Sequence, residues 1–309
     1  MIGAAVDVGS NSVHLLVANL TDGRLETLVD VSEQLGLGDF VDSQGLIPAE
    51  PQRGLIYLLR EYRDLARAQG AESVTFIGTE PLRRAANGRA VAAAVEQETG
   101  IPLDILDKER EGELTFLGVT GGRPGDQPLL VVDIGGGSSE VVLFDPRTGL
   151  RPVGLQTGSN RLTTELVEHD PPTSDEILRL RARAAELAAT LPDASPARAI
   201  FVGGTATNLI RLRPLAAAEF DALYETLTTV PAADLVIRYV LRPRRAVQLA
   251  AGAALTEAIL ARYQLTEADV SDASLRDGAI IAAARYGDEW PENLGELVGI
   301  SDDRHQATT

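Results

Sequence analysis

Val132-Asp133-Ile134-Gly135-Gly136-Gly137-Ser138-Ser139-Glu140 is the stretch that decides the fold. An apolar strand, Leu129–Ile134, runs into a turn of small residues and returns as a second apolar run over 140–144. The same pattern stands 126 positions earlier, at Val6-Asp7-Val8-Gly9-Ser10. There the apolar runs Ile2–Val8 and 13–20 are joined by Gly9-Ser10-Asn11-Ser12. Two hairpins, each with an aspartate at a strand end and a polar turn, read as an internal duplication. Two similar domains facing each other across a cleft are therefore expected. The Gly/Pro-rich segment Thr120-Gly121-Gly122-Arg123-Pro124-Gly125 marks the expected boundary, giving domains 1–119 and 120–309.

Outward from the hairpins, strand and helix patterns alternate, which predicts an α/β protein. Short strands are expected at 74–77, 102–106 and 199–202, and helices at 51–69, 90–99, 109–119, 174–191, 232–241, 244–263 and 274–286. Thr173 and Glu176 suit a capping box. The acidic chain after Asp288 is expected to be loosely held.

Composition limits the function classes. The 309 residues are 44% hydrophobic, enough for a substantial core, and contain no cysteine, which excludes disulfides, thiolate zinc sites and cysteine nucleophiles. The run 246–261 is interrupted by Gln248, Thr256 and Glu257, and falls short of the ~20 apolar residues a bilayer requires. No membrane span is expected, and Met1 leads straight into a strand, so a cytoplasmic protein is expected. A net charge of −17 argues against nucleic acid as a partner, because counterion release needs a basic face. A polyanion remains compatible if arginines cluster locally. Lys108 is the only lysine, so any phosphate clamp must use arginine forks or backbone amides.

Three turns have that character: Gly9-Ser10-Asn11-Ser12, Gly135-Gly136-Gly137-Ser138 and Gly203-Gly204-Thr205. Each follows an apolar strand and lets backbone N–H groups converge on an anion. Asp7 and Asp133 interrupt apolar strands, where a lone carboxylate is costly unless paired or bound to metal. Hard oxygen ligands beside phosphate favour Mg²⁺, with Glu140 a third acidic candidate. His14 reads as a core histidine. Lys108-Glu109-Arg110-Glu111-Gly112-Glu113 offers three carboxylates at a helix start, any of which could activate water. Arg83, after the strand at 74–77, suits a bidentate phosphate clamp; Arg84, Arg89, Arg161 and Arg242/Arg244/Arg245 could extend a basic track, though ordinary surface charge is the favoured reading for them.

Taken in order, the two hairpin motifs, Gly78-Thr79-Glu80-Pro81-Leu82-Arg83, Phe116-Leu117-Gly118-Val119 and Ser271-Asp272-Ala273-Ser274-Leu275-Arg276-Asp277-Gly278 resemble the Ppx/GppA exopolyphosphatase and guanosine pentaphosphate phosphatase family. The resemblance covers roughly residues 2–286 and implies two duplicated actin-like (ribonuclease H-like) domains. It implies Mg²⁺, a water-activating glutamate that aligns with Glu111, phosphate contacts from Asn11, Arg83 and Ser138, and metal-site roles for Asp7, Asp133 and Glu140. It also implies a homodimer acting on inorganic polyphosphate or, alternatively, on a phosphorylated guanine nucleotide. The helical domains of long members do not follow here, so shorter polyphosphates are the expected substrates. A kinase of the same fold and a non-catalytic phosphate sensor are the competing classes. Arg110-Glu111-Gly112-Glu113-Leu114 departs from the family's usual Glu-Glu-Ala-Arg-Leu, which keeps Glu109 and Glu113 in play as the base.

Overall fold

The computed structural model of the chain describes residues 1–298, which form two compact units. In the first, β1 (Ile2–Val8), β2 (Ser12–Thr21) and β3 (Arg24–Gln34) make an antiparallel meander. Helices α1 (Leu37–Gln44) and α2 (Ala49–Ala68) lead to β4 (Ser73–Gly78), which pairs in parallel with β1. Then come α3 (Glu80–Arg84), α4 (Gly88–Thr99), the parallel edge strand β5 (Leu103–Ile105) and α5 (Lys108–Thr120). The sheet order is β3-β2-β1-β4-β5.

The second unit repeats this plan. Its meander is β6 (Leu129–Ile134), β7 (Ser139–Asp145) and β8 (Gly149–Leu155), followed by α6 (Ser159–Leu166) and α7 (Ser174–Ala189). Parallel β9 (Arg198–Val202) leads into α8 (Gly203–Leu209), α9 (Phe220–Thr229), α10 (Ala232–Tyr239), α11 (Pro243–Arg262) and β10 (Asp269–Val270). The order β8-β7-β6-β9-β10 matches the first sheet strand for strand. The internal duplication expected from the hairpins is present in the two sheets, and each is arranged as the family resemblance implies.

Burial explains why β1 and β6 read so clearly. Helices cover both faces of such a sheet, so its central strands are nearly continuous apolar runs. Leu15, Phe76, Leu55 and Leu59 lie in the first core, and Leu130, Phe201, Leu180 and Leu255 in the second. The 246–261 run is part of α11, a helix buried along most of its length. Among the described residues no helix is long and apolar enough to cross a membrane. The Thr173/Glu176 capping box forms at the start of α7.

Two expectations are corrected. The chain does not stay in the second unit after residue 120: residues 273–298 belong to the first, where α12 (Leu275–Tyr286) packs on α5 and β1. The segment after Asp288 is also more ordered than expected, since α13 (Trp290–Leu297) buries Trp290 and Leu294. The remainder of the acidic tail lies outside the described residues.

The return of α12 depends on two glycines. A Cβ at Gly278 would sit 1.9 Å from the Leu114 carbonyl oxygen, and one at Gly118 would sit 2.3 Å from the Ser274 carbonyl oxygen. Only hydrogen at these positions lets the α5 and α12 backbones approach so closely. Ser274 and Asp277 form a capping box at the head of α12, and Arg276 bonds Asp30 at 2.7 Å. The 271–278 motif is thus the clamp that fixes α5. Gly278→Ala and Gly118→Ala should each destabilise the protein by at least ~1–3 kcal/mol, visible as a lowered thermal midpoint. Gly54→Ala on α2, where a Cβ meets nothing within 4 Å, should be neutral or stabilising.

Candidate active site

In the first unit, Asp7 is the penultimate residue of β1 and pairs across the hairpin with His14. The turn is closed by Gly9 N–H donating to the Ser12 carbonyl at 3.1 Å. The carbonyls of Ser10 and Asn11 accept from Gly38 N and Gly36 N at 2.9 and 3.0 Å. Those bonds fix the turn while leaving the Ser10 and Asn11 amides without a backbone acceptor among the described residues. Asn11 is buried, and its Oδ1 meets no hydrogen-bond donor among the described residues. A buried, unsatisfied amide oxygen is rare in a folded protein and points to a bound group. The Ser10 hydroxyl is committed, donating to Glu80 Oε2 at 2.6 Å, and Ser12 Oγ lies 2.7 Å from His14 Nε2. Ser10 can therefore offer an anion its amide while its hydroxyl serves Glu80.

Arg83 and Glu111 form the reactive-looking pair of this unit. Arg83 leaves α3, donates Nη1 to the Leu106 carbonyl at 2.6 Å and makes an ion pair with Glu111. Its Nη2 is buried and meets no acceptor among the described residues, a donor suited to a phosphate oxygen. Asp107 caps α5 by accepting from Arg110 N at 2.8 Å, which sets the register of the first helical turn. Of the three candidate bases, Glu109 is exposed, whereas Glu111 and Glu113 are 4% and 5% exposed. Glu111 forms an ion pair with Arg83.

The second unit carries the same device with different side chains. Asp133, penultimate on β6, stands directly opposite Glu140 on β7. Gly135 N–H closes the turn onto the Ser138 carbonyl at 3.0 Å. The Gly135 and Gly136 carbonyls accept from the first turn of α6, from Ser159 N at 2.9 Å and Asn160 N at 3.0 Å. Gly136, Gly137 and Ser138 keep amides with no backbone acceptor among the described residues. One hydrogen bond recurs at the same offset in both units: Thr79 Oγ1 donates to Val8 O at 3.0 Å, and Thr205 Oγ1 to Ile134 O at 2.6 Å. The Thr205 hydroxyl proton is thereby spent on holding the strand end.

Gly203 and Gly204 have specific steric roles. Gly203 has φ +75°, and a Cβ there would sit 2.3 Å from Asp133 Oδ1. A Cβ at Gly204 would lie 2.7 Å from the Arg245 guanidinium. Arg245, read from sequence as surface charge, is thus part of this site. Burial pulls its guanidinium below the usual arginine range, the Asp133 carboxylate opposes that, and Arg242 and Arg244 add to the lowering. Glu80 was also missed as a site residue, although it is buried and bridges Ser10 to Arg84. A carboxylate just after an apolar strand and close to Arg83-Arg84 in sequence was the available signal.

Asp133 and Glu140, side by side on one sheet face, are a hard-oxygen pair of the type Mg²⁺ accepts, with Gly203 leaving room for the Asp133 carboxylate. Like charges directly opposite in a hairpin are otherwise destabilising. No group of three or more His, Cys, Asp or Glu residues converges as a metal cage among the described residues. Mg²⁺ bound through one or two carboxylates, waters and phosphate oxygens requires no such cage.

Because Arg83 divides its donors between Glu111 and a free Nη2, substitutions at the two residues should move phosphate affinity in opposite directions. Arg83→Gln should weaken pyrophosphate binding by about 10-fold or more, and Glu111→Gln should tighten it, measured by calorimetry without turnover. Equal affinities in both variants would mean that Arg83 does not face the ligand.

The Ppx/GppA phosphatase family model matches residues 16–286. Exopolyphosphatase 1 of Mycobacterium bovis is 32% identical over 304 residues, covering 89% of this chain and 86% of that protein. Exopolyphosphatase 2 of Mycobacterium tuberculosis is 31% identical over 248 residues, covering 75% and 77%. The crystal structure of the Aquifex aeolicus Ppx/GppA family member superposes with a TM-score of 0.82 at 26% identity, covering 93% of this chain and 99% of that one. With its motifs, duplicated sheets and these relatives in agreement, the chain belongs to the Ppx/GppA phosphatase family.

Proposed function

We propose that this chain is an exopolyphosphatase that hydrolyses the terminal phosphoanhydride of inorganic polyphosphate. The observation that carries the reading is Glu111, a buried carboxylate at the first turn of α5 in contact with a phosphate-type arginine. It occurs in a chain whose relatives named exopolyphosphatases match over 75–89% of its length.

In this mechanism Glu111 orients a water and accepts its proton as the oxygen attacks the terminal phosphorus. The bond from that phosphorus to the bridging oxygen breaks, releasing orthophosphate and a chain shorter by one unit. Arg83 offers Nη2 to the transferring phosphoryl group, whose charge the protein must hold while the bonds exchange. The open amides of Ser10, Asn11, Gly136, Gly137 and Ser138 orient phosphate oxygens. Arg245 supplies a positive charge next to Gly204. Asp133 and Glu140, with Asp7 as the proposed further ligand, would hold Mg²⁺, which supplies neutralisation of phosphate charge. A homodimer, which the family resemblance implies, and a cytoplasmic location, expected from the sequence, complete the proposal.

Three measurements test it. Glu111→Gln should lower kcat on tripolyphosphate by roughly 10²–10⁴, while Glu109→Gln stays near wild type. Excess EDTA should abolish phosphate release, and added Mg²⁺ should restore it. Activity unchanged in EDTA would remove the metal from the account. Faster turnover of guanosine pentaphosphate than of polyphosphate would replace the substrate.

A further inference from the structure

The chain has 45 acidic residues among 309, yet none falls in 194–218 or in 235–256. Both acid-free runs belong to the second unit, and the fold brings them together. The first contains Gly203–Gly204 and Arg211, and the second contains Arg238, Arg242, Arg244 and Arg245. Arg211 Nη1 donates to the Val240 carbonyl at 2.6 Å, tying the exit of α8 to the end of α10. Val240 lies between Arg238 and Arg242, two residues from each, a span of at most about 7 Å on either side. Arg242 in turn lies close enough to Arg245 for its charge to act on it, and the Arg245 guanidinium touches Gly204.

A continuous positive stripe therefore leads away from the Gly203–Gly204 turn, on a protein of net charge −17. Arg211, Arg238 and Arg242 are exposed and make no ion pair among the described residues. Arg84, by contrast, is held by Glu80 and Asp42. Unneutralised arginines packed beside one another repel, and an anionic ligand relieves that repulsion.

We propose that Arg238 and Arg242, placed by Arg211, form an accessory track that binds phosphates of a linear polyphosphate beyond those held at the reacting end. The inference rests on the exopolyphosphatase reading for its ligand. The track acts only on chains long enough to reach it. Its contribution is electrostatic and multivalent, so it strengthens with chain length and weakens with salt.

The test is the double variant Arg238→Gln/Arg242→Gln, compared with wild type on tripolyphosphate and on long-chain polyphosphate at two salt concentrations. Thermal midpoints should match, because both side chains are exposed. For long chains, KM should rise about tenfold or more, and the slope of log affinity against log salt should shrink by about two, one per lost contact. Kinetics on tripolyphosphate should not change. Ile237→Ser alters an exposed apolar neighbour of Arg238 and should leave the length dependence intact. Binding of long-chain polyphosphate to Glu111→Gln protein, with and without the double substitution, reads the track without turnover. If wild type hydrolyses no polyphosphate, the exopolyphosphatase reading fails, and the binding comparison still decides the track. Equal effects on short and long substrates, no effect on either, or the same loss from Ile237→Ser would overturn the proposal.

Discussion

The contact between Arg83 and Glu111 is the interaction around which the first unit is arranged. A carboxylate at the start of a helix and almost out of water is costly unless a cation stays with it. Meeting that requirement needs β4 to end where α3 can aim Arg83, and α5 to begin in the right rotational phase. The Asp107 cap sets that phase, and the glycine contact between α5 and α12 holds the helix there. The 271–278 motif is distant in sequence from Glu111, yet it acts on Glu111 through the Leu114 carbonyl that Gly278 touches. The structural and chemical parts of the family motifs are thus mechanically coupled.

Duplication provided the frame, and substitution divided the labour. Both units place an aspartate next to last in their first strand, close a turn onto a serine carbonyl, and secure the strand end with a threonine hydroxyl. The residue across from that aspartate differs, being His14 in one unit and Glu140 in the other. The first unit adds Glu80, Arg83 and Glu111, chemistry suited to orienting water and a phosphoryl group. The second adds a pair of facing carboxylates and Arg245, chemistry suited to a cation and to anionic substrate.

The parts legible in the sequence are those with local physical causes. Asp7 and Asp133 stood out because each breaks an apolar strand before a small-residue turn, and that spacing alone located the duplicated hairpins. The edge strands β3 and β8 were not legible. β3 is mostly exposed and rich in charge, and β8 carries Pro152, which suits only an edge. The return of α12 to the first unit was hidden because its cause is a backbone contact between Gly278 and Leu114, far apart in the chain. Arg245 was hidden for the same reason: its neighbour Gly204 is remote in sequence, and only the fold distinguishes it from other arginines. Helix periodicity could not separate Glu109, Glu111 and Glu113. Burial sets exposed Glu109 apart from the other two, and Glu111 forms an ion pair with Arg83.

The central claim is that water, placed by Glu111, attacks the terminal phosphorus of a polyphosphate. The most direct measurement is hydrolysis of tripolyphosphate in ¹⁸O-labelled water, with the released orthophosphate analysed by mass spectrometry. The account predicts that wild-type protein incorporates one ¹⁸O into each terminal phosphate released, with pyrophosphate remaining unlabelled at early times. Glu111→Gln protein should incorporate label at a rate lower by roughly the factor of 10²–10⁴ expected for a lost general base. Transfer of the phosphoryl group to an added sugar without ¹⁸O incorporation, or label entering at the wild-type rate in the Glu111→Gln protein, would contradict it.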